Sequence, residues 1–190
     1  MVVPVAGWLW FLERQWGGTA LDASAGTASF AGELEPHFAK VEILDSTSPR
    51  WADQTFDCIA LHANLIRVLD GGHTGVPALA RLYSLLRPGG WLVGGSTNPD
   101  YTGDRRVTPG VKLPVVIRQL RRIGFQEVRC AFATPSLDRP TSLIPVARDA
   151  VRAFENSPAG QDSASWSRRA VARLGPLRLL YPAYFTMARR

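Results

Sequence analysis

The fold is decided by two consecutive stretches: T-F-D-C-I-A-L-H-A-N-L-I-R-V-L-D, residues 55–70, and, after a glycine-rich break, A-L-A-R-L-Y-S-L-L-R-P-G-G-W-L-V-G-G-S, residues 78–96. Residues 58–61 are apolar on both faces, which is typical of a strand that helices cover on each side. The leucines of the second stretch recur at helical spacing and predict a helix with one buried face. Its end is R-P-G-G, residues 87–90: arginine suits a helix C-terminus, proline cannot continue the helix, and the glycines lead into a strand at residues 91–94. The two stretches therefore predict one strand–helix–strand unit.

This unit resembles the second half of the class I S-adenosylmethionine-dependent methyltransferase domain, in which an F-D strand, a helix ending in L-L-(R/K)-P-G-G and an apolar strand follow one another. The resemblance implies an α/β Rossmann-like fold, with a mostly parallel sheet and helices on both faces. It also implies a last strand that runs antiparallel at or near the edge, and S-adenosylmethionine as the cofactor of an active protein.

The rest of the chain predicts strands that alternate with helices in a single domain. An N-terminal helix is expected within residues 1–18, a core at 19–134, a helical lid or extension at 135–178 and a final strand at 179–188. Within these segments we expect helices at 7–15, 113–123, 146–155 and 165–174 and a helix that ends near residue 35. We also expect strands at 19–22, 38–44 and 125–132, and irregular structure at 135–145.

Composition limits the class of protein. The chain has 190 residues, of which 46% are hydrophobic, and this suffices for a core without disulfides or metals. Cys58 and Cys130 lie in apolar runs without metal-ligand spacing, so we expect buried reduced thiols and no metal. No apolar run is long enough to span a bilayer. The N-terminal apolar segment lacks a basic leader and a cleavage site, and the expected location is the cytoplasm.

Charge is distributed unevenly along the chain. Residues 1–102 carry a net charge of −4 and residues 103–190 a net charge of +10. A basic half attracts acidic partners, and an anionic small-molecule substrate fits it. The arginines are scattered along predicted helices without interleaved aromatic residues, so the sequence has no clear nucleic-acid signal.

The turn after the first strand is the expected start of a cofactor site. Ligands of α/β sheets bind outside the carboxyl ends of the strands, where the strand order reverses. The family pattern D-x-G-x-G-x-G appears here as D-A-S-A-G-T-A. Asp22 and Gly26 match this pattern, whereas Ser24 stands in place of a glycine. The resemblance places these three residues, together with Asp45 and Asp57, in the cofactor site.

The interval between Gly26 and Phe56 is too short for the strand–helix–strand that the family usually has there, because such a unit needs about 30 residues by itself. On one alignment the second strand and its helix are missing, and Asp45 follows the third strand as the residue that contacts the adenine amino group. On the other alignment Asp45 ends the second strand, and the third is missing. One strand–helix unit is absent on either alignment, and the exposed sheet edge would suit a protein partner or a second copy of the chain.

Candidate catalytic and substrate-binding residues follow two strands. His62 comes directly after the F-D strand and is the candidate general base, since histidine titrates near neutral pH. Asn98, Asp100 and Tyr101 follow the strand after P-G-G and are candidate substrate contacts.

The C-terminal segment contains R-P-T-S-L-I-P-V-A-R-D-A-V-R-A-F, residues 139–154, and Y-P-A-Y-F-T-M-A-R-R, residues 181–190. These stretches resemble the tails of methyltransferases that act on sugars, lipid carriers or polyketides, and such tails often cover the substrate. Two functions stay open at this stage. The first is methylation of an oxygen or nitrogen atom of a small molecule. The alternative is a non-catalytic methyltransferase-like binding or scaffold subunit, which the degenerate glycine motif favours. The fold alone does not decide between the two functions.

Overall fold

The computed structural model describes residues 17–24, 31–44, 54–61, 75–101, 111–134, 142–145 and 181–190. Its strands are β1 (Thr19–Asp22), β2 (Lys40–Ile43), β3 (Phe56–Leu61), β4 (Leu86–Thr97), β5 (Glu127–Thr134), β6 (Ser142–Pro145) and β7 (Ala183–Arg189). Its helices are α1 (Ala31–Leu34), α2 (Gly75–Leu85) and α3 (Leu113–Ile123). The predicted helices at 7–15, 146–155 and 165–174 lie outside the described residues.

The seven strands form one sheet in the order β2-β1-β3-β4-β7-β5-β6. The strands β1 to β4 are parallel to one another, and β7 runs antiparallel to both of its neighbours, β4 and β5. A mostly parallel sheet with an antiparallel last strand is therefore confirmed. The expectation that this strand lies near the edge is wrong, because β7 pairs along its whole length with β4 on one side and with β5 on the other.

Helices cover both faces of the sheet, as predicted. On one face Leu34 of α1 and Phe38 pack with Ala20, Cys58 and other small or aromatic residues of the strands. On the other face, α2 and α3 contribute their buried leucines to a larger cluster around Ile59 and Leu92. The strands β1, β3 and β4 are therefore buried on both sides over most of their length, which explains the apolar runs in the sequence.

The junction between α2 and β4 is tighter than the sequence predicts. The helix ends at Leu85, and Leu86 already pairs with Phe56 of β3, so β4 starts before R-P-G-G and not after it. Residues 87–90 form an irregularity in the register between β3 and β4. Gly89 has a φ of 79°, and a Cβ at Gly90 would lie 2.9 Å from the carbonyl oxygen of Arg87. Both glycines are therefore required by the local backbone.

The outer edge of the sheet shows which unit the chain lacks. β2 pairs directly with β1, which is the position of the second strand in a doubly wound sheet. No described strand pairs with the other side of β2, where Ile43 is 56% exposed. Within the described residues the third strand is therefore the one without a counterpart, and Asp45 follows the second strand.

The opposite edge carries a strand that the sequence analysis missed. Residues 142–145 form β6, which pairs antiparallel with residues 131–134 of β5, whereas irregular structure was expected there. Pro145 stands at the end of this strand, where a missing backbone N–H is tolerated.

Among the described helices, none is long and apolar enough to cross a membrane.

Candidate functional site

The order of the parallel strands reverses between β1 and β3. The connection after β1 passes through α1 on one face, and the connection after β3 leads to α2 on the other face. The two crossovers therefore diverge between these neighbouring strands, and a crevice for a ligand is expected at their carboxyl ends.

Asp22, the last residue of β1, organises the turn at this point. Its side chain is fully buried, and its carboxylate accepts hydrogen bonds from the backbone N–H of Ser24 at 2.9 Å and of Ala31 at 3.1 Å. The second bond is made with the first residue of α1, nine residues further along the chain. Asp22 therefore holds together the two ends of the turn.

Backbone hydrogen bonds fix the turn to the neighbouring strands. The N–H of Ala23 donates to the carbonyl of Ala60 at 2.8 Å, and the N–H of Leu44 donates to the carbonyl of Asp22 at 2.8 Å. The carboxyl ends of β2, β1 and β3 thus meet in one place.

The predicted cofactor residues are only partly described. Ser24 is buried beside the turn, with 6% of its surface exposed. Gly26, Asp45 and His62 lie outside the described residues, so their placement in the site stays a prediction.

Asp57 lies at the other end of the sheet. It is the second residue of β3, near the amino end of the strand, and its carboxylate accepts a hydrogen bond from the N–H of Thr19 at 2.8 Å. The same carboxylate pairs with the guanidinium of Arg87 at 3.0 Å. Gly18 packs so closely that a Cβ there would overlap the carboxylate. The structure therefore separates Asp57 from Asp22 and Ser24 at the carboxyl end of β1 and places it in a contact that joins β1, β3 and the start of β4.

Asn98 anchors the loop after β4. Its side-chain amide donates to the carbonyl of Tyr181 at 2.8 Å, and its backbone N–H donates to the carbonyl of Pro182 at 2.8 Å. Its side-chain oxygen accepts a bond from the N–H of Asp100, and its carbonyl accepts one from Tyr101. Because Asn98 is buried with these bonds made, it positions the loop, whereas Asp100 and Tyr101 are partly exposed.

Two tyrosines near the last strand reinforce this edge. Tyr184 is fully buried, and its hydroxyl donates to the carbonyl of Val111, while Tyr181 stacks on Phe132 with ring centroids 5.7 Å apart. Ser96 is also fully buried near the end of β4, and its hydroxyl has no hydrogen-bond partner among the described residues. Nothing in the sequence predicts Ser96 as a site residue, because an S-T-N run after glycines matches no motif of its own.

Neither cysteine is available as a nucleophile. Burial raises the pKa of the Cys58 thiol far above its ordinary value, and the charge of Asp57 raises it further. Burial also raises the pKa of Cys130 to about 11, against smaller lowering effects of a hydrogen bond with Thr186 and the charge of Arg121. Both thiols are therefore protonated near neutral pH. Within the described ranges, no group of three His, Cys, Asp or Glu side chains could hold a metal ion.

Comparison with solved structures places this fold among methyltransferases. A SAM-dependent methyltransferase from Archaeoglobus fulgidus matches with 15% identity over 98% of this chain and 93% of that chain, at a TM-score of 0.59. An S-adenosylmethionine-dependent methyltransferase from Mesorhizobium loti matches with 15% identity over 97% and 98% of the two chains, at a TM-score of 0.54. Phosphoethanolamine N-methyltransferase 2 from Haemonchus contortus, in complex with S-adenosyl-L-methionine, matches with 12% identity over 98% of this chain and 52% of that chain, at a TM-score of 0.59.

No protein-family model matches the chain, and no curated protein matches it. At identities this low the structural likeness establishes the fold. The chain therefore has the Rossmann-like fold of class I methyltransferases, as the sequence predicts.

Proposed function

We propose that this chain is an S-adenosylmethionine-dependent methyltransferase that acts on an oxygen or nitrogen atom of a small molecule. The observation that carries the proposal is the turn after β1. It stands where the two crossovers diverge, and the buried carboxylate of Asp22 closes it. The methyltransferase names of the structural neighbours support the same reaction class.

The described residues of this turn fit such a cofactor. Ala23 and Ser24 carry small side chains, so a ligand can approach the backbone closely. The carboxylate of Asp22 is directed to backbone N–H groups, and we therefore assign it to holding the turn. Direct cofactor contacts are proposed for Ser24 and Gly26, and for the carboxylate of Asp45 as the ligand of the ribose hydroxyls.

When bound, S-adenosylmethionine supplies an electrophilic methyl group on a sulfonium centre. The chain must then hold the acceptor atom of the substrate in line with that group, and such positioning provides much of the rate. We propose that His62 accepts the proton of the acceptor atom. Asp100 and Tyr101 are the proposed substrate contacts on the same sheet edge, and Asn98 holds them in place.

For the substrate we propose an anionic small molecule of the sugar, lipid-carrier or polyketide type. The net charge of +10 in residues 103–190 supports this, since that half includes the proposed lid. A soluble location in the cytoplasm is part of the same proposal.

The test is isothermal titration of the full chain with S-adenosylmethionine and S-adenosylhomocysteine. We expect a Kd in the micromolar range, about tenfold or more weaker in Asp45→Ala. Asp100→Ala is the matched control, because it removes a carboxylate at the same edge of the sheet but on the substrate side. Its cofactor affinity is expected to stay within about twofold of the native value. Absence of binding at millimolar ligand would overturn the proposal in favour of a non-catalytic subunit.

A further inference from the structure

The outer face of α3 carries three basic residues and no acidic one. The helix buries Leu113, Val116 and Leu120 against the sheet, and its exposed positions are held by Pro114, Val115, Arg118, Arg121 and Arg122. No acidic residue occurs anywhere in the helix. We call the three arginines together with Val115 the arginine face.

Four other cations of the described residues form ion pairs, whereas Arg81, Arg189 and Arg190 form none within the described ranges. Arg87 lies 3.0 Å from a carboxylate oxygen of Asp57, and Lys112 lies 3.6 Å from one of Asp100; Arg129 and Lys40 pair in the same way with glutamates. Within the described ranges, none of the three arginines of the arginine face forms an ion pair.

The stability of the helix explains the positions of Arg121 and Arg122 but not the position of Arg118. Arg121 and Arg122 stand in the last turn, where positive charge favours the helix dipole. Arg118 lies outside that turn, three and four residues before the other two, and like charges at these spacings destabilise a helix. An anionic partner would relieve this repulsion.

We propose that the arginine face binds an acidic segment of a partner protein. Guanidinium groups bind carboxylates through two parallel hydrogen bonds, and all three cations here are arginines. Arg118 and Arg122 are separated by one helical turn, about 6 Å, which matches carboxylates four residues apart on an acidic helix. Val115, which is 37% exposed beside Arg118, adds the apolar contact that protein interfaces have at their centre.

Two other anionic partners fit less well. Single-stranded nucleic acids are bound by aromatic side chains on which bases stack, but α3 carries no aromatic residue, and among the described aromatic residues only Tyr83 and Tyr101 are even partly exposed. Membrane-surface helices insert an apolar face into the lipid, whereas the apolar face of α3 is already buried in the core. Because the arginine face points away from the sheet, the proposal does not depend on the proposed methyl transfer.

The test uses fluorescence anisotropy with the full chain and a labelled helical peptide of about 20 residues, with glutamate pairs four residues apart and one leucine between the pairs. The same peptide with glutamine for glutamate serves as the reference. The comparison variants are Arg118→Glu/Arg122→Glu and, as a control with the same change in net charge, Lys40→Glu/Arg129→Glu. Lys40 lies on β2, and Arg129 lies over the ring of Trp91 on the sheet face opposite α3.

We expect binding of the glutamate peptide at about 150 mM salt. The α3 double variant should weaken it about tenfold or more, and the control variant should change it about twofold or less. Equal loss in both variants would overturn the proposal, because net charge alone would then explain binding. Tighter binding of a DNA duplex or of phosphatidylserine vesicles than of the peptide would overturn it as well, as would no binding of the peptide at millimolar concentration. Thermal unfolding of both variants checks that the exposed substitutions leave the fold intact.

Discussion

Replacing Asp22 by alanine should lower the stability of the protein much more than a typical polar substitution. The change removes a fully buried carboxylate that accepts two backbone hydrogen bonds, at 2.9 and 3.1 Å. A hydrogen bond to a charged group contributes about 1.5–3 kcal/mol. The bond to Ala31 is only partly buried and counts for less, so we expect a loss of about 3–4 kcal/mol. That is a large share of the roughly 5–15 kcal/mol by which folded domains are stable.

The assay is thermal and urea unfolding combined with cofactor titration. For a chain of this length about 2–4 °C of Tm is lost per kcal/mol, so Asp22→Ala should melt about 6–16 °C below the native protein. Asp22→Asn retains one acceptor oxygen and should lose about half as much. Asp100→Ala is the control, since its ion pair with the exposed Lys112 contributes about 0–1 kcal/mol. An unchanged Tm in Asp22→Ala with loss of cofactor binding would refute the assignment of Asp22 to the turn and make it a direct ligand.

Three further predictions concern other parts of the sheet. Asp57→Asn should lower the free energy of unfolding by about 1–2 kcal/mol, because it weakens the contacts with Thr19 and Arg87. Cofactor affinity should stay within about twofold, since Asp57 lies at the amino end of β3, away from Asp22, and a large loss of affinity in titration would contradict this. Gly90→Ala should lower the free energy of unfolding in urea by about 1–3 kcal/mol, because its Cβ would lie 2.9 Å from one backbone oxygen and 3.1 Å from two others. Gly32→Ala is the control and should not destabilise the protein, since a Cβ there would meet nothing within 4 Å. Burial raises the pKa of Cys130 from 9.0 to about 11, so the thiol ionises in the unfolded chain before it ionises in the folded one as the pH rises. This difference should lower the free energy of unfolding by about 1.3 kcal/mol between about pH 8 and 10. In urea unfolding, Cys130→Ala should lose less stability over this pH range by that amount, and the same loss in both proteins would contradict the pKa shift.

Elements that the sequence delimits with glycines were predicted to the residue. β1 spans Thr19–Asp22 as expected, directly after Gly18 with its φ of 78°. α3 spans Leu113–Ile123 as expected, because Gly124 ends it in a left-handed conformation. The local sequence suffices to predict the end of such an element, since the boundary depends only on the backbone conformation of the glycine itself.

Elements that depend on distant partners were not predicted. Periodicity does not tell which neighbour a strand has, so the internal position of β7 could not be inferred from its own residues. The same reason applies to β6, which prolines flank in sequence and which becomes a strand by pairing with β5. The early start of β4 follows from the pairing of Leu86 with Phe56, again a contact between separate segments.

For the candidate site, the sequence indicated that Asp22 ends β1 and that Asn98 follows the strand after P-G-G, but not the hydrogen bonds that these residues make. The prediction for Asp57 followed a motif, although its place at the opening of the F-D strand puts it at the amino end, away from the ligand edge. Asn98 stood where a substrate contact was expected, but its bonds to Tyr181 and Pro182 come from a segment more than 80 residues away and are invisible in the local sequence.

The central position of β7 also determines the order in which the sheet can assemble. Its residues pair with β4 across 86 to 98 positions of the chain, and such distant pairing slows folding because a long loop must close first. Until β7 joins, β4 and β5 both present unpaired backbone to the solvent, and edges of this kind promote association between chains. A chaperone that holds the nascent chain, or a lower synthesis temperature, should therefore raise the yield of folded protein more than a substitution in the well-formed region from β1 to β3.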